Sequence, residues 1–576
     1  MAEKAVDLPE ECWELIIKLL DHPSHFNSLS LVCKQFLSIT NRLLFSLNLS
    51  DPTVQALLPR LLQRFRRIKQ IEITGFQGDM NSILHQIALS GLNLESLNVS
   101  KQPTLPVVGL RALGSKMMDL KSLNCSKMGC FGDSDLNVIA ESFPCLEELD
   151  ISYHADENSY STIGSKPISD LGIFSLSLKL KSLRKINLSG NSFITDKSLV
   201  FLSTNCLLLS QVVLHFCNFI SLNGISKLIN GCSHLNSISV HGIGNPSVNA
   251  AFQVPFLSPK ALSAIALSDS NISDEFLYAV AEARFPLKKL TLSRCANYSF
   301  SGISVLLNEY QCLEYLNLEA AYFLRDKDIA ELSRFLHSIN HINLSQCYGL
   351  TCITFYTLIK NCLVLDKLEM VATSIGEENI ETDFKASHGI KSLNLANNSV
   401  GNNFITSFAS ICPKLEVLNL SKCKGITEEG IVEVLKRCSE IRQLEANHVR
   451  GMTNSFLHLE FELPKLKVLS LMLSGIDDDA LAMIGKRCCR LLKLDLAGCW
   501  SLTSKGVKEV VENCKELKEI NLKWCNNFSA DIVPWMVFSR PSLKKIVPPS
   551  RFVLTERQRN LFLRHGCVVY EWDAFE

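Results

Sequence analysis

The stretch LEVLNLSKCKGIT at 415–427 returns as LLKLDLAGCWSLT at 491–503 and as LKEINLKWCNNFS at 517–529. The shared frame places apolar residues at positions one, four and six and a cysteine at position nine, then an apolar residue and a helix-start residue. The frame begins at Leu120, Leu146, Leu183, Leu209, Leu235, Leu262, Leu287, Leu313, Ile339, Leu365, Ile390, Leu415, Ile441, Leu466, Leu491 and Leu517. Weaker copies begin at Leu44, Ile68, Leu94 and Leu543, and nearly every step is 25–27 residues. Repetition on that scale through 576 residues points to a stacked array rather than one round core. Positions four and six share one face of a short strand, because strand side chains alternate. Leu418 and Leu420 therefore point inward, and Val417, Asn419 and Ser421 point outward. The following ITEEGIVEVLKRC, 426–438, predicts a helix with Thr427 as N-cap and Ile431, Val434 and Leu435 as its buried stripe. No unit can bury its apolar side alone. Stacking gives a parallel sheet on one side and helices on the other, with the strands inside the curve, since helices are wider than the ~4.8 Å strand spacing.

A period of this length is that of a leucine-rich repeat. The unit resembles the cysteine-containing class of these repeats, over roughly residues 65–545. The fold class expected is α/β: a leucine-rich-repeat solenoid, horseshoe-shaped, spanning 51–545 in about 18–20 units. Proteins with this repeat class are predominantly F-box proteins, which directs attention to the first fifty residues.

There the chain reads DLPEECWELIIKLL at 7–20, followed by LVCKQF at 31–36. A first helix is expected from Leu8 to Leu20, with Pro9 in its first turn. Cys12, Leu15, Ile16 and Leu19 form one apolar stripe, and Trp13, Ile17 and Leu20 form another. A second helix is expected from Asn27 to about Thr40, and a third short segment at Leu43, Leu44 and Phe45. One stripe can close a small bundle; the other is left as an exposed apolar patch, the usual mark of a partner site. The order of Leu8, Pro9, Glu11, Ile16, Leu19, Leu20, Leu29, Leu31, Val32, Cys33 and Lys34 resembles the F-box motif, with Phe36 where the family often has Trp. The resemblance implies an all-α F-box domain over 1–50. It also implies a Skp-type adaptor held by Leu8, Pro9, Ile16, Leu19, Leu20, Leu29, Leu31, Val32 and Cys33, and through it a cullin ubiquitin ligase.

In that family a protein substrate sits on the concave strand face. The larger side chains at or beside outward positions are His215, Phe216, His241, Arg294, Tyr315, Glu319, His341, Glu369, His448, Met472 and Trp524, and these are the candidate substrate contacts. The rest of the wall is largely Ser and Asn. Plant hormone receptors for auxin and jasmonate share the architecture and are similar in length and repeat number. Their basic floor for an inositol phosphate is not expected here, because the outward lysines Lys185, Lys289, Lys367, Lys493 and Lys523 are scattered and no arginines converge. A plant-like substrate receptor is the resulting expectation, with a hormone co-receptor or an interaction scaffold without a ubiquitin link as alternatives.

Of 22 cysteines, thirteen recur at fixed repeat positions. Cys217, Cys295, Cys347, Cys423, Cys499 and Cys525 stand at position nine; Cys206, Cys232, Cys362, Cys412, Cys438, Cys488 and Cys514 stand three residues before the next repeat. They read as packing thiols, and no metal spacing, cofactor motif or nucleophile–base arrangement is evident. The Asn-x-Ser triplets at Asn98, Asn187 and Asn343 fall within predicted strands and read as repeat residues. The Asp477–Asp479 run reads as an acidic helix start. The step from Leu146 to Leu183 is too long and implies an inserted polar loop at 153–169. Residues 546–576 read as a C-terminal cap, with Thr555 capping a helix and Gly566 ending it. A net charge of zero argues against a dedicated nucleic-acid or anionic-membrane binder. No apolar run is long enough to span a bilayer and the first residues are acidic, so cytoplasm or nucleus is expected for a non-enzymatic subunit.

Overall fold

The computed structural model describes residues 8–19, 23–153, 167–243, 252–257, 261–376, 389–449 and 461–570. It divides into two compact units, Met1–Leu287 and Lys288–Glu576. The first unit opens with three helices: α1 (Glu10–Lys18), α2 (Pro23–Ser30) and α3 (Lys34–Leu43). Parallel strands follow, from Ser46–Asn48 to Ala264–Ser268, nine among the described residues. The second unit shows twelve such parallel strands among its described residues, from Lys289–Ser293 to Val568–Val569. Among the described residues no helix is long and apolar enough to cross a membrane.

Each of the twenty repeat starts lies two residues before a strand. The register places position four opposite position four, as in Leu97↔Leu123 and Leu418↔Leu444. Leu418 and Leu420 are fully buried, and Ile431, Val434 and Leu435 close the helix side at 2% exposure or less. Register also survives the insertion: Leu149 pairs with Ile186 although the sequence between them is long. Most of the expected loop, 154–166, lies outside the described residues.

One feature locks the end of a strand and a second ties one repeat to the next. The side-chain carbonyl of Asn at position five accepts the position-seven N–H of its own strand, as Asn98 does from Ser100 (3.0 Å), Asn187 from Ser189 (3.1 Å) and Asn343 from Ser345 (2.9 Å). The Asn-x-Ser triplets are therefore strand-end locks. Position eight then turns the chain away in the left-handed region, at Lys101, Lys127, Phe216, Arg294, Gln346, Lys422, His448 and Trp524 among others, and at Gly190 and Gly498. Its N–H donates to the position-seven carbonyl of the next repeat, as Lys422 does to Asn447 and Gly498 to Lys523, both at 2.7 Å. Left-handed backbone costs a non-glycine residue about 1–2 kcal/mol, and the repeated hydrogen bonds offset it.

The cysteines complete the lattice. At position nine the thiols of Cys217, Cys347, Cys423, Cys499 and Cys525 donate to the position-six carbonyl of the preceding repeat at 3.1–3.3 Å. At the helix ends Cys206, Cys438 and Cys514 donate to Leu180, Cys412 and Cys488 at 3.4–3.5 Å. Burial pushes these thiols up, to about 12 for Cys217, Cys347 and Cys525, so they stay protonated donors.

Several expectations are corrected. The helix expected over 27–40 is two helices, broken at Leu31–Cys33, where Cys33 caps α3 by accepting the Phe36 N–H at 3.4 Å. Helix α1 is shorter than 8–20, with Pro9 as its N-cap, and Leu44 and Phe45 lead into the first strand. Thr427 occupies the N-cap position but makes no cap bond to its own helix, because its hydroxyl accepts from Asn402 of the previous repeat at 2.6 Å. Related contacts elsewhere put an Asp at one helix start against the cap of the next: Asp170 accepts from Thr195, Asp196 from Ser221, Asp326 from Thr351 and Asp478 from Thr503. The C-terminal region holds the expected capped helix, Glu556–Arg564, but then returns as a strand, Val568–Val569, paired with Lys545–Ile546. The terminal segment thus continues the stack and buries Phe562 and Cys567.

Exposed Lys422 isolates the left-handed turn from packing. Lys422→Gly is expected to hold or raise the urea midpoint, whereas Lys422→Val lowers stability by about 1–2 kcal/mol. Equilibrium urea unfolding followed by circular dichroism measures both.

Candidate functional site

The opening helices show two kinds of apolar residue. Ile17, Ile39 and Leu43 form a buried core, with Trp13, Phe26, Leu29 and Phe36 packed against it. The rings of Trp13 and Phe36 meet edge to face at 4.8 Å, so the smaller aromatic at Phe36 still closes the bundle. Arg42 binds Glu10 at 2.5 Å and ties α3 to α1. The other apolar residues find no cover. Leu19 is 79% exposed, Leu31 87%, Val32 64% and Leu15 63%. Ile16, Leu8, Pro9 and Cys33 are also exposed. Of the residues expected at the adaptor surface, Leu29 differs, since it packs inward on the core, and Leu20 lies outside the described residues. Leu15 was absent from that set, although its i, i+4 spacing to Leu19 signals the same helix face.

The expected substrate residues fall into separate groups. In the first unit His215, Phe216 and His241 meet. The His215 and His241 rings are 5.9 Å apart, Phe216 meets His241 edge to face at 4.5 Å, and His241 Nδ1 lies 3.4 Å from Asp269. Ser239 holds His215 Nε2 at 2.8 Å.

In the second unit Tyr315, His341 and Glu369 sit on successive strands. The Tyr315 and His341 rings meet at 4.6 Å, and His341 Nε2 lies 2.9 Å from Glu369. Lys367 also reaches Glu369 at 2.9 Å. The hydrogen bond to His341 and then that to Lys367, with the charges of both, hold the Glu369 carboxyl down to about 2, against burial. Glu319 accepts from Ser293 at 2.9 Å and from Gln346 at 3.2 Å, and its backbone carbonyl takes the Arg294 N–H.

His448, Met472 and Trp524 stand apart from that group. His448 donates its N–H to the Met472 carbonyl at 2.7 Å, and Lys523 lies over the Trp524 ring at 5.0 Å. Arg294, Phe216, His448 and Trp524 share a backbone role, since all four occupy left-handed position eight and are exposed there. Several outward lysines are already paired: Lys185 with Glu148 at 2.7 Å and Lys493 with Glu519 at 3.2 Å, as well as Lys367.

A helical module with an uncovered apolar patch, joined to a leucine-rich-repeat array, defines a class of interaction protein. Known proteins agree with that assignment. Residues 6–48 match the F-box domain family, and residues 179–203 and 412–435 match a leucine-rich-repeat family. The bovine F-box/LRR-repeat protein 4 is 28% identical over 144 residues, which is 24% of this chain and 23% of that protein. The match thus spans about a quarter of that relative's length. The chain thus carries a segment that matches the F-box family, followed by segments that match leucine-rich repeats.

Among solved structures, the mouse RP105/MD-1 complex gives a TM-score of 0.46 at 15% identity, covering 92% of this chain and 89% of that one. The yeast Rad7 and Elc1 complex gives 0.32 at 15% identity, covering 91% and 95%. At these scores the likenesses carry nothing about shape, ligand or partner.

The sign of the Glu369 shift sets a pH test. A depressed carboxyl contributes stability that is fully present above its ordinary value of 4.5 and is lost as pH falls through about 2. The difference in unfolding midpoint between wild type and Glu369→Gln should be constant above pH 4.5 and shrink steadily toward pH 2. Thermal unfolding across that range measures it.

Proposed function

We propose that the chain is the substrate-recognition subunit of an SCF-type ubiquitin ligase. The observation that carries this reading is the division of labour in the opening helices. Trp13, Ile17, Leu29, Phe36 and Ile39 already close the bundle, yet Leu15, Ile16, Leu19, Leu31 and Val32 remain in solvent. A helical cap on a solenoid would turn such residues inward. An exposed apolar patch of this kind is what an F-box offers a Skp-type adaptor. The adaptor then links the chain to a cullin, and a protein substrate docks on the strand face. The chain itself supplies no reaction. It places a substrate lysine near a ubiquitin-charged enzyme, so the gain is in effective concentration.

Co-expression with a Skp-type adaptor followed by size exclusion tests the reading. Wild type should co-elute. A Leu19→Asp/Leu31→Asp variant should weaken adaptor binding by at least ~100-fold, as expected when charges replace central apolar anchors. Both positions are exposed, so the variant keeps its fold. A wild-type chain that elutes alone and folded would leave the array as a scaffold without a ubiquitin link.

A further inference from the structure

Position two of each repeat forms the edge of the strand face, and along most of the array it is a charge ladder. Lys69 pairs with Glu95 at 2.5 Å, and both Lys121 and Arg184 pair with Glu147, at 3.6 and 3.4 Å. In the second unit Lys288 pairs with Glu314 at 2.7 Å, Lys391 with Asp366 at 2.9 Å and Arg442 with Glu416 at 3.3 Å. After Arg442 the alternation stops. The next rungs are Lys467, Leu492, Lys518 and Lys544. All three lysines are exposed, and none has an ion pair among the described residues. Lys518 and Lys544 are neighbours across the sheet, the Lys544 N–H bonding to the Lys518 carbonyl at 2.7 Å. Like charges on adjacent strands repel, so this edge costs stability where the rest of the ladder contributes to it.

The same repeats hold a groove of about 450 Å³ with an apolar floor that includes Val468, Met472 and Val547. Lys493 and Lys545 line it, and backbone bonds join them to the edge: Lys493 to Lys467 and Lys545 to Lys518, each at 3.0 Å. The carboxylates in the groove are already engaged. Glu445 accepts from Asn419 and Gln443, Asp495 from the Ala497 N–H and Asn521, and Glu519 faces Lys493. Those hydrogen bonds fix the carboxylates without cancelling their charge; counted with the edge, Lys467, Lys493, Lys518, Lys544 and Lys545 outnumber Glu445, Asp495 and Glu519, so the net charge of groove and edge together is positive.

We infer that this lysine-edged groove binds an acidic segment of a substrate protein, with an apolar side chain over Val468, Met472 and Val547 and carboxylates over Lys467, Lys518 and Lys544. A polypeptide fits better than a nucleic acid, because the lining is largely aliphatic and offers a single aromatic ring, Tyr570, for base stacking. The inference deepens the receptor reading and rests on it for the word substrate. The binding itself is measured without adaptor, so failure of the groove and failure of the adaptor surface are read separately.

The test uses the full chain and a fluorescein-labelled synthetic peptide alternating glutamate and leucine, followed by fluorescence anisotropy at low salt. Wild type should bind it, and binding should weaken as salt rises. A Lys467→Ser/Lys518→Ser/Lys544→Ser variant should lose at least ~10-fold in affinity, whereas Lys121→Ser/Lys391→Ser, which removes paired rungs, should lose nothing. An unchanged melting temperature confirms that the triple variant is folded. The inference is overturned if the triple variant binds like wild type, or if a lysine–leucine peptide binds equally well. It is also overturned if oligothymidylate of similar length binds more tightly through the same lysines. Peptide binding seen only after residues 571–576 are removed would make the chain's own end the occupant and overturn it as well.

Discussion

Every outward residue of the repeat strands is placed by a parallel backbone ladder that no single repeat can form. A strand of two to five residues has no stability alone, and its buried apolar residues need the neighbouring repeats. The ladder is extended beyond the strand by the left-handed residue at position eight, which donates into the next repeat before the chain turns toward its helix. The position-nine thiol then bonds back to the repeat before it. Each unit is therefore held in both directions by groups that recur at one spacing. The outward side chains inherit that spacing whatever their chemistry.

This separates support from recognition. Asn at position five and Cys at position nine belong to the lattice, although both types look functional in a sequence. The candidate contacts are outward side chains, and some of them, such as Phe216 and Trp524, stand on backbone positions that the lattice also uses. Tyr315, His341 and Glu369 illustrate the consequence: they are a repeat or two apart in sequence, yet the register sets Tyr315 beside His341 and brings Glu369, opposite Asn343, within hydrogen-bonding reach of His341. The opening helices follow the same logic on a smaller scale. Their core is complete without Leu15, Leu19, Leu31 and Val32, and those four are free for a partner.

The strands were legible because their leucines are set by burial, which tolerates few substitutes. Position eight was not legible, since Lys422, Phe216, Trp524 and Gly190 share a backbone angle but no chemistry. The last strand escaped because Val568–Val569 is too short to show a period. The break between α2 and α3 was hidden for a different reason. Leu29, Leu31 and Val32 continue an apolar run, and only the Cys33 cap reveals that the helix has stopped. In the candidate site, the sequence named the outward residues but not their partners. Pairings such as His341 with Glu369 depend on register over 28 residues. The inward turn of Leu29 likewise depends on where α2 packs.

The central claim is that the chain holds its adaptor through the opening helices and leaves the strand face open for a second protein. Hydrogen–deuterium exchange, measured by mass spectrometry with and without a Skp-type adaptor, tests it most directly. The account predicts slowed exchange in peptides covering residues 8–43 and unchanged exchange across the strands from Gln70 onward. Slowed exchange along the array with none in the opening helices would contradict it.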